Sequence, residues 1–217
     1  MSHILTTDTI QSATSCAWQT SDPQYVAYHN DQWGKPVFDS QELFAKLCLD
    51  GQQAGLSWLT ILRKQNNYEK AFHQFNPQKI VKMTEDDVTE LMQDKGIVRN
   101  KLKIKSIIKN ANAFIEIEET MPFNLYLWQF TQYRIIQTNC KTKGDVATTS
   151  VESDAMAKAL KKVGFSFVGS TICYAFMQAV GMVNDHLVDC PCHAALKTEQ
   201  ETVEKQLFTL KRSTTVA

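Results

Sequence analysis

Two pairs of possible metal ligands lie near opposite ends of this chain and constrain its fold more than any other feature. Cys16 and His29 are separated by twelve residues, and His186 and Cys190 by three. In a helix the second pair would lie one turn apart on the same face. Two thiolates and two imidazoles form a donor set that Zn2+ prefers, so one shared ion would join the two ends of the chain.

The same spacing also fits a less specific interpretation. A free core cysteine and a hydrogen-bonded histidine would give this pattern without any metal. Cys192 and His193 lie within reach of the second pair and could compete for an ion. Spacing alone therefore leaves both alternatives open.

Composition indicates an ordinary globular protein. The 217 residues, 43% apolar and 21% charged, suffice for one large domain or two small ones. No apolar run approaches the roughly 20 residues of a membrane helix, and the first residues lack the features of a secretory signal. Six cysteines without such a signal favour reduced thiols or bound metal over disulfides. We therefore expect a cytoplasmic protein that does not contact a membrane.

The charges are unevenly distributed although the formal net charge is zero. The segment from Lys95 to Lys109, which begins just before Gly96, contains six basic residues and no acidic residue. A helix, a glycine turn and a basic helix are typical of a helix-hairpin-helix, whose turn amides and second helix face a DNA phosphate. A solvated helix face and an ordinary helical hairpin give a similar pattern.

Helix signals dominate the chain from residue 21 to about residue 181. Caps are predicted at Asp22, at Asp39 or Ser40, and at Ser57, Asn76 and Thr84. The long helix expected over residues 99–118 has isoleucines at helical spacing, and further helices are expected over 154–163 and 171–181. No useful strand alternation occurs, and 131–150 is irregular. These patterns predict an all-α domain of residues 15–193 between a disordered tail (1–14) and a mobile C-terminal tail (194–217).

Asp50 is the residue that most suggests a binding site. It follows Leu43 and Leu47 on one stripe of a predicted helix, so a carboxylate lies on an otherwise apolar face. It also lies near the helix C-terminus, where the dipole disfavours negative charge. Burial and dipole would both raise its pKa. An arginine, a backbone N–H or a cationic ligand would each satisfy it.

Aromatic residues are concentrated in the same part of the chain: Trp18, Tyr25, Tyr28, Trp33 and Trp58. Such clusters serve core packing more often than ligand stacking. Tyr28 adjoins the candidate ligand His29, however, so a metal there would hold the aromatic side chains in fixed positions.

Five blocks of sequence resemble the bacterial 3-methyladenine DNA glycosylase I family. They are Asp22-Pro-x-Tyr25-x-x-Tyr28-His29-x-x-x-Trp33-Gly34, Leu49-Asp50-Gly51-Gln-Gln-Ala54-Gly55-Leu56-Ser57-Trp58, Gly96-Ile-Val-Arg99-Asn100-x-x-Lys103-Ile104, Gly164-Phe-x-Phe-Val-Gly169-x-Thr171-x-x-Tyr174-x-Phe176-Met177-Gln178-Ala179 and Asn184-Asp185-His186-x-x-x-Cys190. The resemblance spans Cys16 to Cys190, most of the chain.

The resemblance implies a helix-hairpin-helix repair enzyme that hydrolyses the N-glycosidic bond of 3-methyladenine in double-stranded DNA. It implies a structural zinc on Cys16, His29, His186 and Cys190, and an aromatic lesion pocket of Trp18, Tyr28, Trp33 and Trp58 with Asp50 as the carboxylate. We expect Gly55 and Leu56 to enter the gap left in the duplex, and Gly96, Arg99 and Lys101 to contact DNA. Lys101, Lys103 and Lys105 are expected to face phosphate or solvent.

One departure from the family pattern concerns Asp50, because the family usually has glutamate there. The shorter side chain implies a shifted backbone, a bridging water or reduced activity. No lysine stands out as a Schiff-base nucleophile, so we expect a monofunctional, monomeric enzyme without strand cleavage. The alternative is a protein that is cross-linked by a structural zinc ion and binds DNA or the lesion, but has lost catalytic activity.

Overall fold

The computed structural model describes Cys16 and residues 21–215, and helices account for most of its regular structure. The α-helices are α1 (Pro23–Asp31), α2 (Ser40–Gln53), α3 (Trp58–Leu62), α4 (Gln65–Ala71), α5 (Pro77–Ile80), α6 (Glu85–Leu91), α7 (Lys101–Glu118), α8 (Phe123–Trp128), α9 (Val151–Lys162), α10 (Ser170–Ala179), α11 (Pro191–Thr198) and α12 (Gln200–Thr215). Short 3-10 helices span His73–Phe75, Gln129–Thr131 and Lys143–Asp145. The all-α prediction is confirmed.

Within the described residues, a minimal parallel ladder of two strands departs from the all-helical pattern expected from the sequence. Strands β1 (Ile136–Gln137) and β2 (Val183–Asn184) pair with Ile136 opposite Val183 and Gln137 opposite Asn184. Two residues are too few for an alternating pattern to be recognised in the sequence. The ladder anchors the irregular segment after α8 beside the segment that carries His186.

Local capping chemistry explains where several helices begin. Asp22 Oδ1 accepts hydrogen bonds from the amides of Gln24 and Tyr25 at the start of α1. Asp39 accepts from the amide of Glu42 at 2.8 Å, which starts α2 at Ser40. The predicted caps Ser57, Asn76 and Thr84 are likewise present.

The main core forms where α2 and α7 meet α10. Helix α2 packs against α3, α7, α8 and α10, and α10 also packs against α9. Phe44 of α2 and Trp128 of α8 are fully buried there. The indole N–H of Trp128 donates to the carbonyl of Val37 at 2.9 Å, so this large side chain is buried without an unsatisfied donor. Helix α2, which carries Asp50, is thereby fixed on several sides.

Two glycines allow the segment after α1 to approach α10 closely. Gly34 (φ 82°) and Gly181 (φ 73°) adopt left-handed backbone conformations that favour glycine. A Cβ atom on Gly181 would lie 2.6 Å from the carbonyl oxygen of Gly34, and one on Gly34 would lie 2.7 Å from Nε2 of His186. This close approach brings α1, the end of α10 and the His186 segment together.

The C-terminal segment differs from the mobile tail expected over residues 194–217. Residues 191–215 form α11 and α12, and Leu196, Val203 and Leu207 are buried in the main core. The side-chain Oε1 of Gln200 also accepts a hydrogen bond from the amide of Ile135 at 3.1 Å. Val203 and Leu207 lie one turn apart, so one face of α12 is apolar and packs on the protein.

The predicted disordered tail (1–14) and the aromatic candidate Trp18 lie outside the described residues. Among the helices that are described, none combines the length and the apolar character required to cross a membrane.

Candidate active site and metal centre

A cavity of about 420 Å³ lies where α1, α2, α3 and α10 meet. Its walls are formed mainly by aromatic and polar side chains: Tyr25, Tyr28, Trp33, Asp50, Gln53, Trp58, Thr171, Tyr174, Gln178 and Asp185. Four of these residues, Tyr28, Trp33, Asp50 and Trp58, were predicted from the sequence as pocket residues. The size and the few converging polar groups are those of a small-molecule or base-binding site.

Asp50 lies in the last turn of α2 with only 3% of its surface exposed. Its Oδ2 atom is buried and has no hydrogen-bond partner among the residues that the structure describes. Burial raises the pKa of this carboxyl from 3.8 to about 8, although the positive charge of Lys46 lowers it slightly. A buried carboxyl group whose oxygen is unsatisfied is costly for the folded protein unless a ligand completes it.

The aromatic wall of the cavity is held from two sides. The rings of Tyr28 and Trp58 lie 5.3 Å apart at 45°, beside the carboxyl of Asp50. The indole N–H of Trp58 is buried and has no acceptor within Cys16 and residues 21–215. Within this part of the chain, the cavity therefore holds both an unsatisfied donor and an unsatisfied acceptor. Burial, with a smaller contribution from Asp50, raises the pKa of Tyr28 well above its usual range, so its hydroxyl stays protonated.

Trp33 connects the cavity to the metal-ligand cluster. It lines the cavity and packs edge-on against the imidazole of His186, with ring centroids 4.5 Å apart. It also stacks on His29 at 5.9 Å. The position of this pocket wall therefore depends directly on the two histidines.

The sequence analysis did not single out three polar residues that lie in the cavity wall. Asp185 Oδ2 accepts hydrogen bonds from the hydroxyl of Tyr174 at 2.8 Å and from Nε2 of Gln178 at 2.7 Å. Tyr174 and Gln178 are four residues apart on α10, with Thr171 on the same face. A polar stripe on this otherwise apolar helix was the signal that could have identified Tyr174 and Gln178.

The turn between α2 and α3 is exposed beside the cavity. Gly55 has φ 76° and open space around it, and Leu56 is 41% exposed. Leu56 is therefore an apolar side chain on an exposed turn, and its insertion into a duplex stays a prediction.

The four predicted metal ligands converge on one point. Cys16, His29, His186 and Cys190 are all buried, and one potential ligand atom from each lies within 4.8 Å of the others. Sγ of Cys16 is 3.4 Å from Nδ1 of His186, and Sγ of Cys190 is 3.7 Å from that nitrogen. A tetrahedral ion with bonds of about 2.0 Å to nitrogen and about 2.3 Å to sulfur requires ligand separations near 3.5 Å. The cluster can therefore hold a metal ion.

The surroundings of the cluster also fit a metal. The second ring nitrogen of each histidine faces an oxygen: Nδ1 of His29 lies 2.7 Å from Asn30 Oδ1, and Nε2 of His186 lies 3.3 Å from the carbonyl of Trp33. This arrangement orients the other nitrogen of each ring toward an ion. Cys192 and His193 do not belong to the cluster identified among the described residues.

The helical hairpin forms, but its turn differs from the expected phosphate site. The amide of Gly96 donates to Asp94 Oδ1 at 2.6 Å, that of Ile97 to the carbonyl of Asp94, and that of Val98 to the hydroxyl of Tyr68. These turn amides therefore have acceptors within the protein and do not face outward. Arg99 and Lys101 are exposed beside the turn, and their contact with DNA stays a prediction.

The three lysines expected to face phosphate or solvent divide into two groups. Lys101 is exposed and Lys105 is partly exposed. Both approach Glu85, with Lys105 Nζ 2.5 Å from Glu85 Oε1. Lys103 is 6% exposed, and its ammonium group donates to the carbonyls of Gln52 and Ala54. The prediction for Lys103 is wrong because its position on α7 faces α2 and not solvent.

Fold and site together define a helical protein that combines an acid-bearing aromatic pocket with a basic helical hairpin. A family model described as methyladenine glycosylase matches residues 18–193. The chain is 50% identical over 183 residues to DNA-3-methyladenine glycosylase 1 of Escherichia coli, which covers 84% of this chain and 98% of that protein.

Solved structures agree with this match. A crystal structure of 3-methyladenine DNA glycosylase I is 49% identical, with a TM-score of 0.82 over 83% of this chain and 100% of its own. A tyrosine-to-phenylalanine variant of such an enzyme, in complex with 3-methyladenine, is 37% identical with a TM-score of 0.80 over 82% of this chain and 96% of its own. The chain therefore belongs to the methyladenine glycosylase family.

Proposed function

We propose that this protein excises 3-methyladenine from alkylated double-stranded DNA by hydrolysing the N-glycosidic bond. The observation that carries the proposal is the buried Oδ2 of Asp50 inside an aromatic cavity, where no described residue bonds to it. A cationic, planar base satisfies such a site, whereas an uncharged adenine leaves the acid without a charged partner. The relatives whose names specify this lesion support the same substrate.

The chemistry of the lesion explains why so few catalytic groups are present. Methylation at N3 makes adenine cationic, which weakens its glycosidic bond and makes it a good leaving group. The protein must extrude the nucleotide from the duplex, at a cost of a few kcal/mol, and hold the base in a pocket. Water then adds to the sugar carbon and the base departs, which leaves an abasic site and an intact strand.

Each pocket residue has a separate role in this proposal. Tyr28, Trp33 and Trp58 enclose the ring, and a cation between aromatic faces gains about 0.5–2 kcal/mol. The indole N–H of Trp58 donates to an acceptor nitrogen of the base, and Asp50 accepts from the base edge. The positive charge of the base favours the ionised form of Asp50, against the effect of burial.

We further propose that the ion held by Cys16, His29, His186 and Cys190 is a structural Zn2+. Two thiolates and two imidazoles suit zinc, and four protein ligands leave no open position for a water molecule. When bound, the ion supplies cross-linking of the chain and no chemistry at the base. The histidines then hold Trp33 in the pocket wall, as their ring contacts indicate.

The DNA surface is proposed to comprise the hairpin and the turn between α2 and α3. Arg99 and Lys101 contact phosphates, Gly96 shapes the turn between the two helices, and Leu56, made accessible by Gly55, fills the space of the extruded nucleotide. The enzyme acts as a monomer in the cytoplasm.

The test is release of 3-methyladenine from methylated DNA, measured against an enzyme-free control. Asp50→Asn should reduce the excision rate roughly tenfold to a hundredfold, because it replaces a charged hydrogen bond worth about 1.5–3 kcal/mol. Asp50→Glu should retain or raise the activity, since it restores the residue usual in the family. A wild-type protein that releases no more base than the asparagine variant would instead be a lesion-binding protein without catalysis.

A further inference from the structure

Lys103 joins the DNA-facing helix α7 to the end of α2. Its ammonium group donates to the carbonyls of Gln52 and Ala54, both at 2.7 Å. These carbonyls lie just after Asp50 in the chain and just before the exposed turn of Gly55 and Leu56. A cation at a helix C-terminus is also favoured by the helix dipole.

A second path connects the hairpin turn to the same point. The hydroxyl of Tyr68 accepts from the amide of Val98 at 3.1 Å and donates to Gln52 Oε1 at 3.3 Å. Nε2 of Gln52 in turn donates to the carbonyl of Lys103 at 3.0 Å. Gln52 is 1% exposed, and it takes part in both paths: its backbone carbonyl accepts from Lys103, and its side chain accepts from Tyr68. The hairpin turn and the first turn of α7 are therefore both hydrogen-bonded to the last turn of α2.

The charge of Lys103 is not used to neutralise Asp50. The cation that affects the pKa of Asp50 is Lys46, and its effect is smaller than that of burial. Burying an ammonium group is costly, and the two short hydrogen bonds to carbonyls offset that cost. The carboxyl of Asp50 thus stays available for a cationic ligand while the helix end that bears it is held by a cation.

We propose that Lys103 is a positioning residue, which transmits the docking of α7 on the DNA backbone to the turn of residues 54–57 and to Asp50. This proposal rests on the proposed glycosylase function. It assigns to Lys103 a role distinct from phosphate binding: the hairpin determines where α7 lies on DNA, and Lys103 determines where Leu56 and Asp50 lie relative to α7.

The experiment is a double-mutant cycle of Lys103→Met and Leu56→Ala, measured by single-turnover excision at saturating enzyme with methylated duplex DNA. Lys103→Met should lower the excision rate roughly tenfold to a hundredfold, the range expected when a reacting group is misplaced by about 1 Å. Once the turn is no longer held by Lys103, Leu56→Ala should lower the excision rate by a smaller factor than it does in the wild type. The double variant should therefore show a clearly smaller fold-loss of rate than the product of the two single fold-losses. Multiplicative losses would overturn the proposal.

Affinity for unmodified duplex distinguishes positioning from phosphate binding. The slope of log K for DNA binding, plotted against the logarithm of the salt concentration, reports the number of phosphate contacts. Lys101→Met should reduce the magnitude of this slope by about one, as expected for one lost phosphate contact, whereas Lys103→Met should leave it unchanged. An equal loss of slope in both variants would show that Lys103 binds phosphate and would overturn the proposal. Lys158→Met, on the exposed surface of α9, serves as the control for loss of a lysine.

Folding is controlled separately, because Lys103 is buried. All rates are normalised to the folded fraction, and Lys103→Arg, which can still donate to both carbonyls, should recover a large part of the excision rate. If Lys103→Met does not fold, the cycle is run with Lys103→Gln, whose shorter, uncharged side chain cannot replace both hydrogen bonds to the carbonyls of Gln52 and Ala54; coupling to Leu56→Ala then supports the proposal, and multiplicative losses contradict it. A wild-type protein without excision activity would instead contradict the proposed function, before any variant is compared.

Discussion

Asp50 shows how one residue can be unfavourable for the fold and suited to a cationic ligand. Its carboxyl is buried at the C-terminal end of α2, and its Oδ2 has no partner among the described residues. Leu43 and Leu47 on the same stripe have hydrophobic neighbours, so the apolar surroundings of Asp50 are part of the main core. The protein thus keeps a largely protonated acid that a cationic base can convert to a carboxylate.

The stability of the free protein should therefore depend on pH through Asp50. The pKa is about 8 in the folded protein and 3.8 ordinarily, so the folded state binds the proton more tightly. The contribution to stability is present below pH 4 and is lost as the pH rises through about 8, by at most about 1.4 kcal/mol per pH unit. Asparagine does not titrate, so Asp50→Asn should abolish this pH-dependent loss of unfolding free energy. The substitution should therefore stabilise the protein more at pH 8 than at pH 4. Denaturant unfolding at both pH values tests this; an equal effect at both would contradict the raised pKa.

At the scale of elements, the sequence predicted helices and caps well because their signals are local. Asp39, Ser57 and Thr84 cap helices as expected, since a cap depends on residues within one turn. The burial of Lys103 could not be predicted in this way. Its neighbour Lys101 is exposed and Lys105 is partly exposed, and only the packing of α7 against α2 determines which lysine faces inward.

The same distinction applies to the site. The convergence of His29 and His186 could be expected from ligand chemistry, and Asp50 from a charge on an apolar stripe. The participation of Asp185 depends on hydrogen bonds from Tyr174 and Gln178, which only the folded arrangement reveals. In contrast, the apolar face of α12 could have been predicted from the sequence, because Val203 and Leu207 are four residues apart.

Helix α12 should contribute measurably to stability, because one of its faces is part of the core. Leu207 is fully buried, whereas the adjacent Phe208 is 61% exposed. Leu207→Ala should lower the free energy of unfolding by about 2–5 kcal/mol, and Phe208→Ala by about 0.5 kcal/mol or less. Denaturant titration of the two variants provides a matched comparison. Similar small effects in both would mean that α12 does not pack on the core in solution.

At the scale of the whole molecule, the metal cluster connects residues that are 174 positions apart in the chain, from Cys16 to Cys190. The segment carrying Tyr28 and Trp33 is held against the segment carrying Asp185 and His186. Both segments line the cavity, so the proposed structural ion would hold two walls of the pocket relative to each other.

Metal removal should therefore lower stability before it affects chemistry. Chelation should lower the melting temperature, and Cys190→Ser should lower both the melting temperature and the bound zinc measured by elemental analysis. Cys192→Ser is the matched control and should keep about one zinc per chain, because Cys192 lies outside the ligand cluster. Loss of zinc in the Cys192 variant, with retention in the Cys190 variant, would contradict the ligand assignment.

The central claim is that Asp50 binds the cationic lesion as a carboxylate, and the pH dependence of kcat/KM tests it most directly. This ratio reports ionisations of the free enzyme, in which the pKa of Asp50 is about 8. For release of 3-methyladenine, with spontaneous release subtracted, kcat/KM should rise with pH and reach a plateau above about pH 8. The Asp50→Asn variant should lack this rise. A wild-type profile identical in shape to that of the asparagine variant would contradict the account.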